Sequence, residues 1–525
     1  MVTWLRPQER INEIETRTGL AMLLNDGVCT QVMNVLTGGA FLIAFALHLG
    51  ASNVVIGLLA AMGPMAQVLQ IASIFLIERS GLRKAAVVLS TFGSRLFWPL
   101  IAAIPWFMPR PWRIVIFLSC LLLFFSLGSI SNLAFNSWMQ DFVPVGIRGD
   151  YFGKRSAIAT AAGVLVSLLA AVGVDFFSTR FPEVGIYSVF FLIGAAVGFL
   201  GVYFLTRIPE PQMVKTHPRG LLTILTEPFQ DANFRQLLFF LGWWNCIYYL
   251  ATPFFTVYML KRIGLSMTIV LGLSVLSQIA NALFYQLWGR LADRFSNKSV
   301  LAVTTPLFIL SIFLFPFTTM PEKYVMTMPF LILIHGLSGI ATAGVLLCTG
   351  NIALKLAPHG KATPYLAASA LMSGIAATIA PILGGLAADW YAQRELSLTL
   401  RWLSQPAERV VDMLAMDLRG LDFLFMIAAI LGVYTLHRLS LVQEIGDAEE
   451  EIVLTEFYGI VRRAFRHVST VAGMRYLFDF PYSRLITVFS EENLPPREDD
   501  EEHPASPGLL DIISIKKKLG LHKNR

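Results

Sequence analysis

Three ionisable side chains lie inside long apolar stretches of the chain, where they could do chemistry. They are Asp26 in "LLNDGVCTQ", Arg95 in "GSRLFWPL" and His335 in "ILIHGLSG". A charged group at the middle of a bilayer costs about 2.5–3.5 kcal/mol, so such groups usually face a cavity or a partner. A carboxylate or imidazole held this way can take up and release a proton, and an arginine can bind an anion. These residues therefore predict ion or solute handling.

Each of the three has a purely structural alternative. Asp26 could be wetted at the mouth of a cavity or paired with lysine. Arg95 could belong to a structural Arg–Asp pair or contact a carbonyl, and His335 could be a packed, hydrogen-bonded ring. Two further acids, Asp175 and Asp389, lie near the outer ends of their segments, where we expect caps or rim charges.

A run of polar-tipped aromatic residues, "GWWNCIYYLATPFF" at 242–255, could line a binding cavity. Its alternative is an interfacial aromatic belt, but the run lies too deep in its segment for one. We expect Pro253 to kink this segment, because proline removes a backbone hydrogen bond. The candidates for a substrate cavity are Asn25, Asn132, Asn136, Trp243, Trp244, Asn245, Tyr248, Gln278 and Asn281.

Composition indicates which elements must position these residues. The chain is 55% hydrophobic and 14% charged, with a mean hydropathy of +0.63, whereas soluble domains average about 25% charged residues. About 20 apolar residues span a bilayer as a helix, the form that satisfies backbone groups in lipid. Twelve such segments are predicted, at 20–48, 53–76, 85–108, 114–140, 155–177, 184–206, 236–260, 267–288, 300–318, 327–354, 363–388 and 421–440.

The distribution of charge predicts the topology. Lys and Arg concentrate in the loops on one side, which is therefore expected to be cytoplasmic, with both termini there. The predicted organisation is an N-terminal segment 1–19, a six-helix bundle 20–206, a linker 207–235, a second bundle 236–440 and a tail 441–525. In the tail, residues 452–468 have the spacing of an amphipathic helix, followed by a disordered acidic and basic end.

The two predicted bundles repeat each other. At an offset of 214 or 215 residues, "LGAS" at 49–52 matches "IGLS" at 263–266, and Asp175 matches Asp389. Pro144 matches Pro358 in the same way. Repeats of this kind are a feature of secondary transporters, in which the substrate path lies between the repeats.

Two charged connections recur at the same offset, "IERSGLRK" and "WGRLADRFSNK". Their acid–arginine pairs could form a latch with carboxylates on the opposite bundle, closing and opening one side of the protein. The alternative is that these charges only set topology and solubility. The predicted gate residues are Glu78, Arg79, Gly81, Arg83, Asp141, Arg148, Gly289, Asp293 and Arg294.

These loops resemble the signature G-x-L-a-D-R-x-G-R-[RK] of the major facilitator superfamily, of bacterial type. Gly289, Leu291, Ala292, Asp293 and Arg294 match it position by position, while Ser296 replaces a glycine. "PILGG" at 381–385 is also similar to this superfamily. The resemblance implies an all-α polytopic membrane fold of twelve helices in two pseudo-symmetric bundles, with a gating role for these loops. It also implies that the first helix lines the central cavity, which makes Asp26 the first coupling candidate and the third-helix Arg95 the less central one.

The predicted function is secondary active transport of a small solute by alternating access, coupled to protons, in the cytoplasmic (inner) membrane. A lipid or lysolipid flippase and a non-transporting receptor or assembly protein are the alternatives. The sequence lacks the nucleotide-binding and catalytic motifs of ATP-driven pumps and membrane enzymes. We expect a monomer in the lipid bilayer that binds a small molecule and H⁺, without cofactor, metal or nucleic acid.

Overall fold

The computed structural model describes residues 7–8, 11–80, 82–212, 227–319, 326–358, 362–404 and 409–444. The side chains of 68–80, 145, 363, 400, 402–404 and 409–416 are not described. The predicted amphipathic helix at 452–468 and the rest of the tail beyond 444 lie outside these ranges.

Twelve long helices, labelled α1–α12, make up the described chain. Their bounds are α1 (Glu13–Thr37 and Gly39–His48), α2 (Asn53–Ser80), α3 (Arg83–Arg95 and Phe97–Phe107), α4 (Arg110–Phe142), α5 (Arg148–Phe177), α6 (Glu183–Thr206), α7 (Ala232–Val257, continued by the π-helical Tyr258–Ile263), α8 (Met267–Arg294), α9 (Asn297–Leu314), α10 (Thr327–Leu356), α11 (Ala362–Tyr391) and α12 (Leu421–Ser440).

These helices are suited to a lipid solvent. Within the part of the chain that the structure describes, eleven helices are long and apolar enough to cross a membrane. The remaining one, α2, has a shorter apolar part at Asn53–Gln67. Large apolar side chains are exposed along them, for example Phe107, Leu283 and Ile430, as expected where lipid covers the surface. The predicted all-α polytopic fold is confirmed.

The helices extend beyond the predicted apolar segments. Helix α1 begins at Glu13 rather than at 20, because Asn12 and Glu15 form a capping box with hydrogen bonds of 2.7 and 3.0 Å. Helix α5 begins at Arg148 rather than at 155. A helix continues through polar turns once its ends are satisfied, so hydropathy alone sets its boundaries too late.

Helices α1–α6 and α7–α12 form two halves with the same internal pairings. In the first half α1 packs on α5 and α6, α4 on α2 and α3, and α3 on α6. The second half repeats this pattern, with α7 on α11 and α12, α10 on α8 and α9, and α9 on α12.

The two ends of the molecule can be told apart by what lies there. The linker end carries the start of α1, the linker after α6 and the segment after α12, where Gln8 N–H donates to Glu210 O and Asn233 to Gln443 O. The opposite end, called the hairpin end, carries an antiparallel pair of strands, β1 (Glu395–Ser404) and β2 (Arg409–Arg419).

This hairpin lies in the connection between the last two predicted segments, 363–388 and 421–440. The stretch "ELSLTLRWLS" alternates apolar and polar residues, which is the pattern of a strand with one covered face. At its base Asp422 accepts hydrogen bonds from Tyr258 Oη at 2.8 Å and from Arg419 N–H at 2.9 Å. These contacts anchor the hairpin to α7 and α12.

Candidate functional site

Asp26 is buried inside the first half, with 4% of its surface exposed. Arg155 on α5 contacts it, with Nη2 3.3 Å from Asp26 Oδ2, and also donates through Nε to Leu23 O at 3.0 Å. Thr30 Oγ1 donates to Asp26 Oδ1 at 3.4 Å. The carboxylate is therefore paired with arginine, whereas the structural alternative from the sequence was lysine or water.

Arg95 lies on α3, is buried, and interacts electrostatically with Asp26. Glycines on α6 make room for this group: a Cβ at Gly198 would lie 2.9 Å from Arg95 Cδ and 2.7 Å from Met33 Sδ. A Cβ at Gly201 would lie 3.4 Å from Asp26 Oδ1. We call Asp26, Arg95 and Arg155 the buried charge cluster. It sets one carboxylate against two guanidinium groups in a site of low dielectric.

The second half contains a partly open cavity of about 400 Å³ between α7, α10 and α11. Of the residues predicted for a substrate cavity, Trp244, Asn245 and Tyr248 line it, together with Tyr249 and hydroxyl side chains of α10 and α11. Trp243 lies outside this lining and packs against Tyr434 of α12, with ring centroids 5.0 Å apart. We call this space the aromatic cavity.

The other predicted cavity residues are more scattered. Asn281 Nδ2 donates to Thr342 Oγ1 at 3.2 Å, and Thr342 is part of the wall of the aromatic cavity. Four more are exposed side chains that do not line it, namely Asn25, Asn132, Asn136 and Gln278. Asn136 Nδ2 donates to Asn132 Oδ1 at 3.4 Å, so these two form a polar pair on α4.

His335 is a packed ring on α10. Its Nδ1 lies 2.9 Å from Leu331 O, and its centroid lies 5.9 Å from that of Phe315. The side chain is buried and away from both the buried charge cluster and the aromatic cavity, so the geometry matches the structural alternative given above. The described residues also hold no group of three or more His, Cys, Asp or Glu that could bind a metal ion.

At the hairpin end, a carboxylate from each half caps a helix of the other. Asp389 on α11 accepts from Asn53 N–H at 2.9 Å and from Val54 N–H at 3.0 Å, at the start of α2. Asp175 on α5 accepts at 3.0 and 2.9 Å from the first two N–H groups of α8. A helix N-terminus carries unsatisfied N–H groups and a partial positive charge, which suits a carboxylate.

These two reciprocal caps, Asp175 on α8 and Asp389 on α2, join the halves by hydrogen bonds. Helices α2 and α11 also approach closely beside one of them. A Cβ at Gly385 would lie 2.5 Å from Asn53 O, and one at Gly57 would clash with Pro381 O. The hairpin end is thus tightly closed.

At the linker end, the described latch residues of the first half contact one another, the turn between α4 and α5, and the segment just after α6. Arg83 pairs with Asp141 and, with Nε 3.5 Å from Oε1, with Glu210, both of which belong to the first half. Arg148 donates to Gln140 O at 2.5 Å and to Val143 O at 3.2 Å, closing the turn between α4 and α5. These contacts do not reach the second half. Because the hairpin end is closed, a latch that forms only when the path opens at that end is not expected here, and its pairing with the opposite bundle stays a prediction.

The remaining gate candidates lie at the ends of α2 and α8. Asp293 and Arg294 are exposed at the end of α8, where the Arg294 guanidinium lies over the Phe295 ring. Gly289 lies beside Leu347 of α10. The side chains of Glu78 and Arg79 and the whole of Gly81 lie outside the described residues.

Two buried carboxylates at the linker end are not among the candidates from the sequence. Glu210, just after α6, accepts from Arg83 N–H at 2.8 Å, and Glu444, just after α12, accepts from Lys298 N–H at 2.8 Å and pairs with Lys355 at 2.9 Å. Each caps the third helix of its own half. Burial raises the pKa of the Glu210 carboxyl, and hydrogen bonds from the Lys84 and Arg83 backbone oppose that change.

Comparison with known proteins places this geometry in context. The sequence profile described as Major Facilitator Superfamily matches residues 27–381. No curated protein matches the chain in sequence. Among solved structures, a mutant of the nucleoside transporter NupG superimposes with a TM-score of 0.61 at 14% identity, covering 82% of this chain and 100% of that one. A D-xylose-proton symporter superimposes with a TM-score of 0.54 at 15% identity, covering 84% and 99%.

Proposed function

The chain belongs to the Major Facilitator Superfamily, and from this membership we propose that it is a proton-coupled secondary transporter of a small solute. It is an integral membrane transporter rather than an enzyme. The observation that supports the proton coupling is a buried Asp26 carboxylate in a helix long and apolar enough to span a membrane, in contact with Arg155 and in electrostatic interaction with Arg95. The D-xylose-proton symporter of the same fold provides a precedent for such coupling.

Arg155 gives the proposed coupling step a physical basis. While Asp26 is ionised, its attraction holds α5 against α1 through Arg155. A proton on the carboxylate removes that attraction, and both helices can then move relative to each other. Return of the guanidinium expels the proton on the other side, so one proton crosses per cycle and the carboxylate is regenerated.

The reciprocal caps support alternating access between the two halves. The halves are joined at the hairpin end by Asp175 and Asp389, while Arg83 and Arg148 of the predicted latch pair within their own bundle. A few such contacts suffice to bias an equilibrium between two states separated by a few kcal/mol. In our proposal the caps open when the substrate path opens at the hairpin end.

The proposed orientation follows from the charge distribution. Lys and Arg are concentrated at the linker end, so this end faces the cytoplasm of a cell with the protein in its inner membrane. Replacing Thr179 or Gly149 by Cys tests the proposal with a membrane-impermeant thiol reagent on intact cells. Cysteine at 179 should react and cysteine at 149 should not; the reverse pattern would invert the topology.

Uptake into proteoliposomes, with and without a pH gradient, tests the coupling. Asp26→Asn should abolish gradient-driven accumulation but leave solute exchange without a gradient, because the proton site is lost and the path remains. Asp150→Asn is the matched control, since Asp150 is an exposed acid paired with Lys154 at 2.8 Å. Full gradient-driven accumulation by Asp26→Asn would reject this assignment.

The flippase alternative makes a different demand on the same scaffold. It requires a broad apolar cleft for acyl chains, whereas the aromatic cavity mixes aromatic rings with hydroxyl and amide groups. We therefore favour a small polar solute. Movement of a fluorescent lipid between leaflets, dependent on this protein, would favour the flippase.

A further inference from the structure

We propose that the aromatic cavity binds an uncharged ring compound that carries several hydroxyl groups. This inference rests on the proposed transport function and names the chemical class of the solute. It rests on four properties of the cavity: the absence of charged side chains, an aromatic wall, hydrogen-bonding groups and a small volume.

The first property is the absence of charged side chains from the cavity lining. Among the described residues that line the aromatic cavity, none is Asp, Glu, Lys, Arg or His. An ion moved from water into such a site without a counter-charge loses its hydration and gains little in return. The solute is therefore uncharged. The buried charge cluster lies in the other half, where Asp26 pairs with Arg155.

The second property is a rigid aromatic surface. Tyr248 stacks on Phe308 of α9, with centroids 5.4 Å apart and planes at 23°, and Trp244 meets the same ring at 5.2 Å. Because Phe308 supports both side chains, their rings form a fixed wall. Such rings bind the apolar face of a ring compound with little loss of conformational freedom.

The third property is a set of hydrogen-bonding groups. Ser369 donates to Tyr365 O at 3.0 Å, and Thr349 donates to Val345 O at 2.7 Å. Asn245 likewise uses Nδ2 for Leu241 O, at 2.8 Å. Each side chain has spent a donor on its own helix but keeps oxygen lone pairs. The Tyr248 and Tyr249 hydroxyl groups and the second Nδ2 hydrogen of Asn245 add donors to these acceptors. Hydroxyl groups on a solute both donate and accept, so they can pair with both.

The last property is the volume of the cavity. The cavity of about 400 Å³ is at the small end of the range of about 300–1,000 Å³ typical of ligand pockets. It accommodates one small ring system. A flat apolar face, hydroxyl donors on the edge and no charge together define the proposed class.

Thermal-shift measurements on the purified full-length protein test the proposal without any gradient. The probes are neutral monosaccharides, cyclic polyols and nucleosides, each paired with a carboxylated or phosphorylated counterpart. Neutral probes are expected to raise the melting temperature and charged counterparts are not. Binding only by charged members, or by no neutral member, overturns the proposal.

Matched variants locate the binding. Trp244→Phe and Ser369→Ala should each weaken binding of the best neutral probe by about three- to tenfold, the range of one lost contact. Trp243→Phe is the control, because Trp243 packs on α12 outside the cavity. Equal weakening by Trp243→Phe and Trp244→Phe would place the solute elsewhere.

The two proposals can fail separately. A neutral probe that binds but is never moved across proteoliposomes contradicts transport and leaves the cavity chemistry intact. Gradient-driven uptake of a charged counterpart contradicts the cavity chemistry and leaves transport intact.

Discussion

The interiors of the two halves differ, although their helices pair alike. The first half buries the charge cluster of Asp26, Arg95 and Arg155. At the repeat offset of 214 residues, the corresponding positions of the second half are Phe240, Ile309 and Ser369. Phe240 and Ile309 are buried apolar residues, and Ser369 is part of the wall of the aromatic cavity.

Under the two proposals above, this difference is a division of labour, with proton coupling in the first half and solute binding in the second. A common set of helix pairings fixes the positions, and the side chains at those positions decide the chemistry. Charge in one half suits an ion, and rings with hydroxyl groups in the other suit a neutral solute. The following predictions test whether the charge cluster of the first half and the aromatic cavity of the second act independently.

The largest expected effect is on stability. Arg155→Gln leaves the Asp26 carboxylate buried with its main partner removed, which should lower the free energy of unfolding by about 3–5 kcal/mol. Ser369→Ala, at the corresponding position of the second half, should change it by less than about 1 kcal/mol. Chemical unfolding in detergent measures both.

The triple variant Asp26→Asn/Arg95→Gln/Arg155→Gln controls for a general effect of the substitution at 155. It should recover most of the lost stability, because no unpaired charge then remains in the buried charge cluster. If the triple variant is as unstable as Arg155→Gln alone, the unpaired carboxylate is not the cause.

The next largest effect is expected at the reciprocal caps, a feature that the two halves share. Asp175→Ala and Asp389→Ala each remove two hydrogen bonds to a charged acceptor, and about 1.5–3 kcal/mol is expected for each such contact. Both variants should therefore open the hairpin end, and to a similar degree. Distances between spin labels at Thr179→Cys and Lys261→Cys, with the four native cysteines replaced, report the opening.

Asp150→Ala, an exposed acid at the linker end, should leave these distances unchanged. If only one of the two cap variants opened the hairpin end, the two caps would contribute unequally to its closure.

A smaller effect is expected on solute binding. A variant of each half can be measured for both solute affinity and proton movement. Asp26→Asn should leave the affinity of the aromatic cavity for its best neutral probe unchanged. Ser369→Ala should weaken that affinity by about three- to tenfold and leave the number of protons moved per solute unchanged. Isothermal titration and proton-flux measurements would contradict the division of labour if either variant altered both quantities.

The smallest effect concerns Glu210 at the linker end. Its folded-state pKa is raised by burial, above an unfolded value of about 4.3. The protonated carboxyl therefore contributes stability that is complete below that value and is lost as pH rises through the folded pKa. Glu210→Gln should flatten this decline in melting temperature from about pH 4 upward. Parallel curves for the two proteins would contradict the assignment.

Part of this picture could be read from the sequence because it depends on local pattern. A lone acid in an apolar run identifies Asp26, and alternation of helix-length apolar segments predicts the fold. Arg155 is not among the candidates from the sequence, because hydropathy places the start of the fifth helix at that residue. The structure begins α5 at Arg148, which puts Arg155 two turns inside the helix and beside α1.

Other features depend on contacts between distant parts of the chain. Glu210 and Glu444 each cap a helix more than one hundred residues away, and no spacing rule reveals such a pair. The equivalence of Asp175 and Asp389 was visible, but the helices they cap were not. The hairpin does have a local signal, the alternation of apolar and polar residues in β1.

The reciprocal caps have a consequence for the history of the chain. Asp175 contacts residue 267 and Asp389 contacts residue 53, so the same contact occurs twice with the halves exchanged. This is the geometry of an isologous interface, in which identical subunits offer one another the same surface. A single six-helix ancestor needed only one carboxylate and one helix start to close such a dimer. After fusion, each copy could change alone, and the interiors diverged while the shared contact stayed.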